Sequence, residues 1–493
     1  MTNPRPIQFG EWLPDLGSVN NPGATVAKNV IPQINGYREL KSLTTFTNAL
    51  GSACLGAFWV PDAVGEIENF AGDNTKLYKL DDFSAYQDVS RSPGAAYNAT
   101  RWEFTKFGTR VIAASKSDVL QKFDLGTDTR FSDLAGSPPQ GATIATVRDF
   151  VMLGNIDSLG PNYVQWSAYN NSEIWTPSLQ YQSDFQPLFG RGGTVQRIVP
   201  GEYAIIFMEQ SIFIGEYSGP PTIFQFDEVD RKRGTPAPNS VIWLGDQCWF
   251  YGYDGFYSFS GSRGSEPISH NRVSQWFEAE AATDGLETMR GAIDRGNGLL
   301  IWAFRSTTTV EYNDRLIIYN LFADKWSYAE VNTELIDEYV SPGYSLDALD
   351  AILPNGIDVD SIPVDSTQYQ GGKLSLIAFD PTHTGATFDG PALTGCVETT
   401  ELSKEDSSAT GVNNIRPVIE GGAATSVTIE VGKRNTLREN KVFSAAKAPN
   451  AVTGEVNVRQ KGRFLTYRAN ISGGFDKAFG VIPKEINSSG GKR

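Results

Sequence analysis

The chain has few of the side chains that carry most catalytic and metal chemistry: its 493 residues include two histidines, three cysteines and four methionines. Cys54, Cys248 and Cys396 are odd in number and far apart, so they cannot form a disulfide framework and lack the paired spacing of a zinc site. We expect them to be buried thiols. His270 and His383 lie in no GxSxG-type context, so a histidine-based triad is not predicted.

Long apolar runs are also missing. The N-terminal stretch MTNPRPIQFGEWLPD has no apolar core of a signal peptide, and no run of about eighteen apolar residues occurs. We therefore expect synthesis in the cytoplasm without a cleaved signal, and no membrane insertion.

Positive charge is scarce as well. Lysine and arginine number 42 against 57 acidic residues, which gives a formal net charge of −15. Binding to nucleic acid or to an anionic membrane needs cations that displace condensed counterions, so tight non-specific DNA binding is excluded as an expectation.

The composition favours short strands joined by turns. The chain has 49 glycines, 26 prolines and 12% aromatic residues, with few long runs of helix-forming residues. The sequence therefore predicts an all-β fold with a large core.

The stretch WFYGYDGFYSFSG, residues 249–261, shows the strand pattern most clearly. Aromatic residues alternate on both sides of Asp254-Gly255, a pair suited to the positive-φ positions of a hairpin turn. The stretch is predicted to be a hairpin whose rings build a sheet, and a ligand pocket only if other features support one.

The same order of strand, polar turn and strand recurs along the chain. Turns fall near residues 73, 117, 157, 210, 254, 313 and 371, a spacing of roughly 40 to 60 residues that is typical of propeller blades. We predict a β-propeller of about six or seven blades over residues 45–385. A two-sheet sandwich remains open, because strand periodicity alone does not distinguish the two folds.

The two ends fall outside this repeat. Residues 1–44 space Asn, Pro and Gly too closely for regular structure and predict an extended N-terminal arm on a partner or on the ring. Residues 386–493 read as alternating strands of an additional small C-terminal β-domain. One helix is predicted in SHNRVSQWFEAEAA, with Ser269 or Asn271 as its N-cap.

Charge is segregated along the chain. Residues 334–365 are acidic and contain no lysine or arginine, whereas the C-terminal region is basic. Candidates facing a channel lumen or an adjoining protein are Asp347, Asp350, Asp358 and Asp360. Candidates for docking an acidic partner are Lys433, Arg434, Arg438, Lys461 and Arg463. Two solvated faces without a partner are an equally simple interpretation.

Enzyme chemistry finds little support in the sequence. Asp227, Glu228 and Asp230 could form the carboxylate pair of a glycosidase, but the basic residues 231–233 follow at once and favour an exposed, self-neutralised loop. The glycine-rich runs lack a phosphate-binding pattern. No catalytic residue, cofactor site or metal site is predicted.

Three segments share a resemblance. They are LPDLGSVNNPGATVAKNVIPQINGYREL near the start, GTPAPNSVIWLGDQCWFYGYDGFYSFSG with ISHNRVSQWF in the middle, and KGRFLTYRANISGGFDKAFGVIPKEINSSGGKR at the end. All three resemble the nozzle, or tail hub, proteins of short-tailed bacteriophages. This is the packaged-DNA stabilisation protein family. The resemblance covers the start, middle and end of the chain.

The resemblance implies a β-propeller subunit of the virion tail. It would assemble as a hexameric ring below the portal and adaptor proteins, near tail fibres or spikes, extend the exit channel for double-stranded DNA, and retain the genome until ejection. An acidic ring suits a conduit that must not grip its cargo. Two alternatives stay open: a carbohydrate-binding or carbohydrate-hydrolysing propeller, and a tail-fibre module, although no coiled-coil or β-helix signature is present.

Overall fold

The computed structural model describes residues 6–19, 21–261, 264–341, 372, 374–403 and 409–486. These residues form β-strands joined by turns, with one α-helix and two short 3-10 turns, Pro238–Ser240 and Thr283–Gly285. The all-β prediction is confirmed. The first five strands are β1 (Ile7–Gln8), β2 (Ala24–Lys28), β3 (Val30–Gln33), β4 (Gly36–Glu39) and β5 (Thr44–Ala49).

The middle of the chain folds into seven antiparallel units of four strands, sheets I to VII, of which sheet VI is part of a nine-stranded sheet. In sheets I to VI each strand pairs with the next in sequence. Sheet I consists of β6 (Gly56–Pro61), β7 (Ile67–Gly72), β8 (Leu77–Leu80) and β9 (Tyr86–Asp88). Sheet II consists of β10 (Glu103–Phe107), β11 (Arg110–Ala114), β12 (Gln121–Asp124) and β13 (Ser132–Asp133). Sheet III consists of β14 (Gly141–Val147), β15 (Phe150–Ile156), β16 (Gly160–Trp166) and β17 (Asp184–Pro187).

Sheets IV to VII follow the same order. They are β18 (Val195–Val199), β19 (Ala204–Met208), β20 (Ile212–Gly219), β21 (Ile223–Asp230); β22 (Ile242–Leu244), β23 (Gln247–Gly252), β24 (Gly255–Ser260), β25 (Gly264–Pro267); β26 (Arg290–Asp294), β27 (Leu299–Phe304), β28 (Asn313–Asn320), β29 (Lys325–Thr333); and β30 (Leu335–Val340), β31 (Leu374–Phe379), β32 (Thr384–Thr387). The fourth strand of sheet VII is β5, which pairs with β32.

The second strands of the sheets are buried on both faces. β19 (AIIFM) and β27 (LLIWAF) consist wholly of buried residues, so they carry apolar side chains at successive positions rather than at alternate ones. A strand with this pattern needs a packing partner above and below. Each sheet therefore has to lie between two neighbours.

Seven hydrophobic clusters supply those neighbours, one between each sheet and the next. The seventh cluster joins sheet VII back to sheet I, with the rings of Phe379 and Tyr86 5.8 Å apart between centroids. Contacts representing the other six are Phe70 with Phe123, Ile112 with Leu153, Phe150 with Phe224, Phe207 with Phe250, Phe256 with Trp302, and Ile318 with Leu376. Each sheet thus packs on the next, and sheet VII packs on sheet I.

The two ends of the chain form sheets together. The last strands are β33 (Gly395–Thr399), β34 (Thr410–Glu420), β35 (Ser426–Arg434), β36 (Val442–Phe443), β37 (Val456–Gly462), β38 (Phe464–Ser472) and β39 (Lys477–Ile486). β2 extends sheet VI, pairing with β29 on one side and β33 on the other, and β38, β35 and β36 continue it. β1, β3, β4, β39, β34 and β37 form a second sheet.

The N-terminal segment is therefore more regular than its sequence predicts. It is extended, as expected, but the absence of regular structure predicted for residues 1–44 is wrong: four strands lie within residues 7–39. β3 and β4 pair with each other as a hairpin, whereas β1 and β2 pair with strands hundreds of residues away, such as Ile7 with Val481. Local composition cannot reveal such pairing.

The predicted hairpin is present, but its turn is displaced by one residue. β23 ends at Gly252 and β24 begins at Gly255, so Tyr253 and Asp254 form the loop, and of the predicted pair only Gly255 has a positive φ, 137°. A Cβ at Gly255 would lie 2.5 Å from the Ser274 hydroxyl oxygen, so a larger residue does not fit. Six of the seven aromatic rings are buried and Tyr253 is 58% exposed, so the rings build the sheet.

The single helix, α1 (Ser274–Glu280), is capped from a distant part of the chain. Neither Ser269 nor Asn271 caps it; the residue before the helix is Val273, which has no side-chain cap. The Asp15 carboxylate instead accepts hydrogen bonds from the backbone N–H groups of Gln275 (3.0 Å) and Trp276 (2.9 Å). The N-terminal segment thus fixes the helix electrostatically as well as by packing.

Replacing Asp15 by alanine should lower the free energy of unfolding by about 1 kcal/mol, because two helix N–H groups lose their acceptor. Urea denaturation measures the change, with Asp476→Ala, at an exposed position, as the control. An Asp15→Ala midpoint equal to that of the control would show that the helix does not depend on this cap.

Candidate functional site in the central cavity

The first strands of the seven sheets surround a cavity of about 370 Å³. Every sheet contributes to its lining, through β6, β10, β14, β18, β22, β26 and β30. No helix among the described residues is long and apolar enough to cross a membrane. The first strands therefore bring side chains from all seven sheets to one cavity, and charged groups are concentrated there.

Glu103, the first residue of β10, is the centre of a buried ion network. Its side chain is 2% exposed, and its Oε1 lies 3.0 Å from a guanidinium nitrogen of both Arg101 and Arg197. The Glu103 Oε2 also accepts a hydrogen bond from the Ile144 N–H, 3.2 Å away. Burial alone would raise the pKa of Glu103, but the two guanidinium groups outweigh it and hold that pKa below its ordinary value.

A second charged pair lies across the cavity on β26 and β30. Arg290 donates to the Leu55 carbonyl oxygen at 2.5 Å, and Asp337 accepts the Glu338 N–H at 2.7 Å. Burial, opposed in part by the positive charges of Arg290 and Arg197, raises the pKa of Asp337 to about 7. Burial and repulsion from Arg101 lower the pKa of Arg290 to about 10. Near neutral pH, Asp337 is therefore only partly ionised.

Aromatic side chains form much of the remaining wall. Phe58, Trp59, Phe104 and Trp243 line the cavity, and the Arg197 guanidinium lies 5.3 Å from the centre of the Trp243 ring, in a cation–π contact. The Nε of Arg197 is buried and has no hydrogen-bond partner among the described residues. The site thus combines apolar walls with an incompletely paired cation.

A second cavity, of about 550 Å³, lies at the N-terminal ends of the same strands and shares Asn239 and Arg290 with the first. On its wall the Glu334 carboxylate lies 2.6 Å from His383 Nδ1 and accepts the Cys54 N–H at 3.0 Å. Burial raises the pKa of both Glu334 and the Cys54 thiol. Cys54 and Cys248 are buried, as expected, whereas Cys396 is only partly buried. His383 lies in a turn, where its N–H donates to the Asp380 carbonyl oxygen.

The acidic site residues predicted from sequence cannot be located. Asp347, Asp350, Asp358 and Asp360 all lie outside the described residues. Only the beginning of the acidic segment is described, as β30, where Asp337 and Glu338 face the central cavity.

The basic site residues lie on the C-terminal sheets. Arg434 is bound internally, with its Nη2 2.5 Å from the nearly buried Glu401 carboxylate and 3.0 Å from the Ser18 hydroxyl, so it ties the two ends of the chain together. Arg438, Lys461 and Arg463 are exposed and Lys433 is half-buried. These four form no ion pair with a described residue and could meet a partner.

The glycosidase candidates Asp227, Glu228 and Asp230 lie at the end of strand β21, not in the loop expected from the sequence. The Asp230 carboxylate accepts the N–H groups of Lys232 and Arg233, and Glu228 pairs with Arg231 at 3.2 Å. Among the described residues, no group of acidic, histidine and cysteine side chains could hold a metal ion.

Sequence analysis missed the charged residues of the central cavity. Glu103, Arg197, Arg290 and Asp337 each lie in the first strand of a sheet, next to apolar residues in WEFTKF, VQRIV, MRGAI and LIDEYV. A charge repeated within the first strands is a signal that alignment of the repeats could have found. The repeats were matched by their turns, whereas these charged residues lie in the first strands. Matching the turns therefore did not reveal them.

No family model matches the chain, and no curated protein matches it. Among solved structures it is similar to the extracellular domain of a one-component system from B. thetaiotaomicron, with 12% identity and a TM-score of 0.41, over 82% of this chain and 47% of that one. It is also similar to the computationally designed Ika8 protein, with 9% identity and a TM-score of 0.37, over 71% of this chain and 99% of that one. A third similar structure is BBS1N in complex with ARL6DN, with 10% identity and a TM-score of 0.40, over 71% of this chain and 97% of that one. The chain thus spans about half the length of the first of these structures. At these values the likenesses assign no function.

Replacing Glu103 by glutamine should destabilise the protein by about 3 kcal/mol at pH 7, because two guanidinium groups lose their shared carboxylate. Since the pKa of Glu103 is depressed, its contribution is present above the ordinary value near 4.5 and is lost as the pH falls below it. Urea unfolding at pH 7 and pH 4 tests both statements. Glu216→Gln, at an exposed position, is the control; equal losses in the two variants at pH 7 would contradict the network's role.

Proposed function

We propose that this chain is a structural virion protein of a short bacteriophage tail, of the nozzle or tail hub kind, built on a seven-bladed β-propeller. Copies of the chain close into a ring, a homohexamer, below the portal and its adaptor proteins and near tail fibres or spikes. The ring continues the DNA exit channel, retains the packaged genome and permits its ejection. Double-stranded DNA passes through without tight binding, and no catalytic activity is assigned to the chain.

One observation carries this proposal: the three segments that resemble the nozzle family meet in a single hydrophobic cluster. Val30 and Tyr37 come from the first segment, Phe256 and Phe277 from the second, and Tyr467 from the third, and all five are buried together. Residues 13–40, 234–277 and 461–493 are far apart in sequence. Their convergence supports the view that the resemblance describes one structural unit rather than three chance matches.

Side-chain contacts also join Glu11 and Trp12, immediately before the first segment, to the second segment. The rings of Trp12 and Trp276 are 4.7 Å apart between centroids, in an edge-to-face arrangement. Arg272 forms ion pairs with Glu11 of the N-terminal segment and with Asp324 of sheet VI. The first and second segments are therefore joined to the sheets by packing, by ion pairs and by the helix cap.

The circular order of the sheets supports the propeller part of the proposal. Sheet VII packs on sheet I through a hydrophobic cluster, and its fourth strand is supplied by β5 from the N-terminal side of sheet I. Propellers close in this way because the hydrogen bonds of the shared strand join the beginning of the circle to its end. Such a disc is a rigid unit from which a larger ring can be built.

An exposed apolar surface supports assembly into that larger ring. The outer part of sheet III, residues 169–189, which we term the sheet III rim, exposes five large apolar or aromatic side chains. They are Tyr169 (50%), Leu179 (61%), Tyr181 (49%), Phe185 (39%) and Phe189 (79%). Exposed apolar residues concentrated in this way mark interaction sites. A chain with net charge −15 would otherwise tend to repel its own copies.

Self-association should depend on the sheet III rim. The double variant Leu179→Ser/Tyr181→Ser should raise the Kd for self-association roughly 100-fold, because each side chain contributes about 1.5–3 kcal/mol when buried. Mass photometry over a concentration series, alone and with portal-adaptor proteins, measures the change. The control is Val310→Ser, at an exposed position outside the rim. A wild-type chain that stays monomeric in all mixtures would contradict the assembly proposal.

The central cavity favours a second candidate, the carbohydrate-directed propeller. Glu103 and Asp337 line one cavity with pKa values displaced in opposite directions, the arrangement expected of a base and an acid, beside aromatic walls on which a sugar could stack. This candidate predicts sugar binding or glycan hydrolysis by a monomer, with hydrolysis abolished in Asp337→Asn. Glycan-array screening and a hydrolysis assay of the monomeric fraction separate it from the tail proposal.

A further inference from the structure

Around the central cavity and its N-terminal edge, arginine side chains outnumber the carboxylates paired with them. Arg101 and Arg197 share one carboxylate, that of Glu103, since both contact the same oxygen. Arg290 forms no ion pair within 4.0 Å with a described carboxylate; its hydrogen bond goes to the neutral Leu55 carbonyl group. This excess is unusual in a chain whose overall charge is strongly negative.

Two arginines retain hydrogen-bonding capacity inside the cavity. The buried Nε of Arg197 has no partner among the described residues, and such a group costs free energy until it finds an acceptor. The Arg290 guanidinium carries five N–H donors, whereas one contact, to Leu55, accounts for one of them. Arginine forks match the two oxygens of a carboxylate or phosphate group.

We propose that the central cavity binds a small organic anion, with its carboxylate or phosphate group held by Arg290 and Arg197 and its apolar part against Trp59, Phe104 and Trp243. All five residues line the same cavity of about 370 Å³, which has room for a molecule the size of a substituted benzoate. The side chain of Arg197 is 17% exposed, so solvent reaches it. This site is independent of the assembly proposed above.

Charged groups around the site make binding depend on pH. Asp337 faces Arg290 of β26 and Arg197 of β18, and Glu338 lies beside it on β30. Glu103 of β10 and the preceding Arg101 are also near. Glu334 and Cys54 line the adjoining second cavity. Because the pKa of Asp337 is raised to about 7, its negative charge is lost between pH 8 and pH 6. An anion should therefore bind several-fold more tightly at pH 6.

Isothermal titration calorimetry with benzoate tests the site, at constant ionic strength in chloride buffer. Benzyl alcohol, a neutral molecule of similar shape, is the ligand control. Benzoate remains an anion from pH 6 to pH 8, so any change in its affinity over that range reports the protein. We expect benzoate to bind, benzyl alcohol to bind at least tenfold more weakly, and phenyl phosphate to reveal whether the site prefers phosphate to carboxylate.

Three variants assign the binding to named residues. Arg290→Gln should weaken benzoate binding at least tenfold. Asp337→Asn should bind benzoate at pH 8 as tightly as the wild type does at pH 6, and should lose the pH dependence. Arg295→Gln is the matched control, because Arg295 lies at the cavity margin and is paired with Glu338 at 2.8 Å.

Several results would overturn the inference. They are equal affinity for benzoate and benzyl alcohol, wild-type affinity in Arg290→Gln, or a pH dependence unchanged in Asp337→Asn. If Arg290→Gln does not fold, the Asp337→Asn measurement decides alone, because that variant removes a charge without opening a space. Binding of neutral sugars in preference to benzoate would also overturn it, and would favour the carbohydrate-directed candidate.

Discussion

The pairing of β5 with β32 is the interaction on which the remaining architecture depends. Sheets I to VI are each completed by strands that follow one another in sequence, whereas sheet VII takes its fourth strand from the other end of the chain. This pairing places Leu50 and Tyr86 against Leu335 and Phe379, so it also completes the last hydrophobic interface. Hydrogen bonds and apolar burial therefore close the circle at the same point.

The arrangement of the seven sheets leaves a cavity with charged side chains between their first strands. The first strands of the seven sheets line a common cavity of about 370 Å³, so their side chains do not fill this space as in an ordinary core. Charged residues occupy that space, where Glu103 is stabilised by two guanidinium groups while Asp337 and Arg290 are displaced from their ordinary pKa values by burial. The same geometry that gives a rigid disc thus creates a polarised cavity at its centre.

The ends of the chain are the second element of the structure. N-terminal strands lie between strands from the C-terminal region and sheet VI, and one hydrophobic cluster includes residues from all three. Arg434, predicted to dock a partner, instead binds Glu401 and Ser18 and holds the ends together. Exposed groups such as Lys461 and Arg463, and the sheet III rim, remain as the proposed partner contacts.

Features determined by local chemistry could be predicted from the sequence. Alternation of aromatic residues around Asp254 predicts a hairpin, and the recurrence of turns predicts about six or seven similar units. Features determined by distant partners could not. The strands of residues 7–39 depend on β39 and β33, the helix cap is Asp15 rather than Ser269 or Asn271, and the turn moves by one residue because Gly255 lies against Ser274. The cavity residues belong to four different sheets, so no short motif contains them.

Electron cryo-microscopy of the purified chain tests the central claim most directly, because it images both the disc and any ring that the discs form. The account predicts discs of seven blades with an axial cavity and with β5 as the outer strand of the last blade, arranged as a closed ring of copies that touch through the sheet III rim. Particles that show an open arc of sheets, two stacked sheets, or isolated discs at every concentration and in the presence of tail proteins would contradict it.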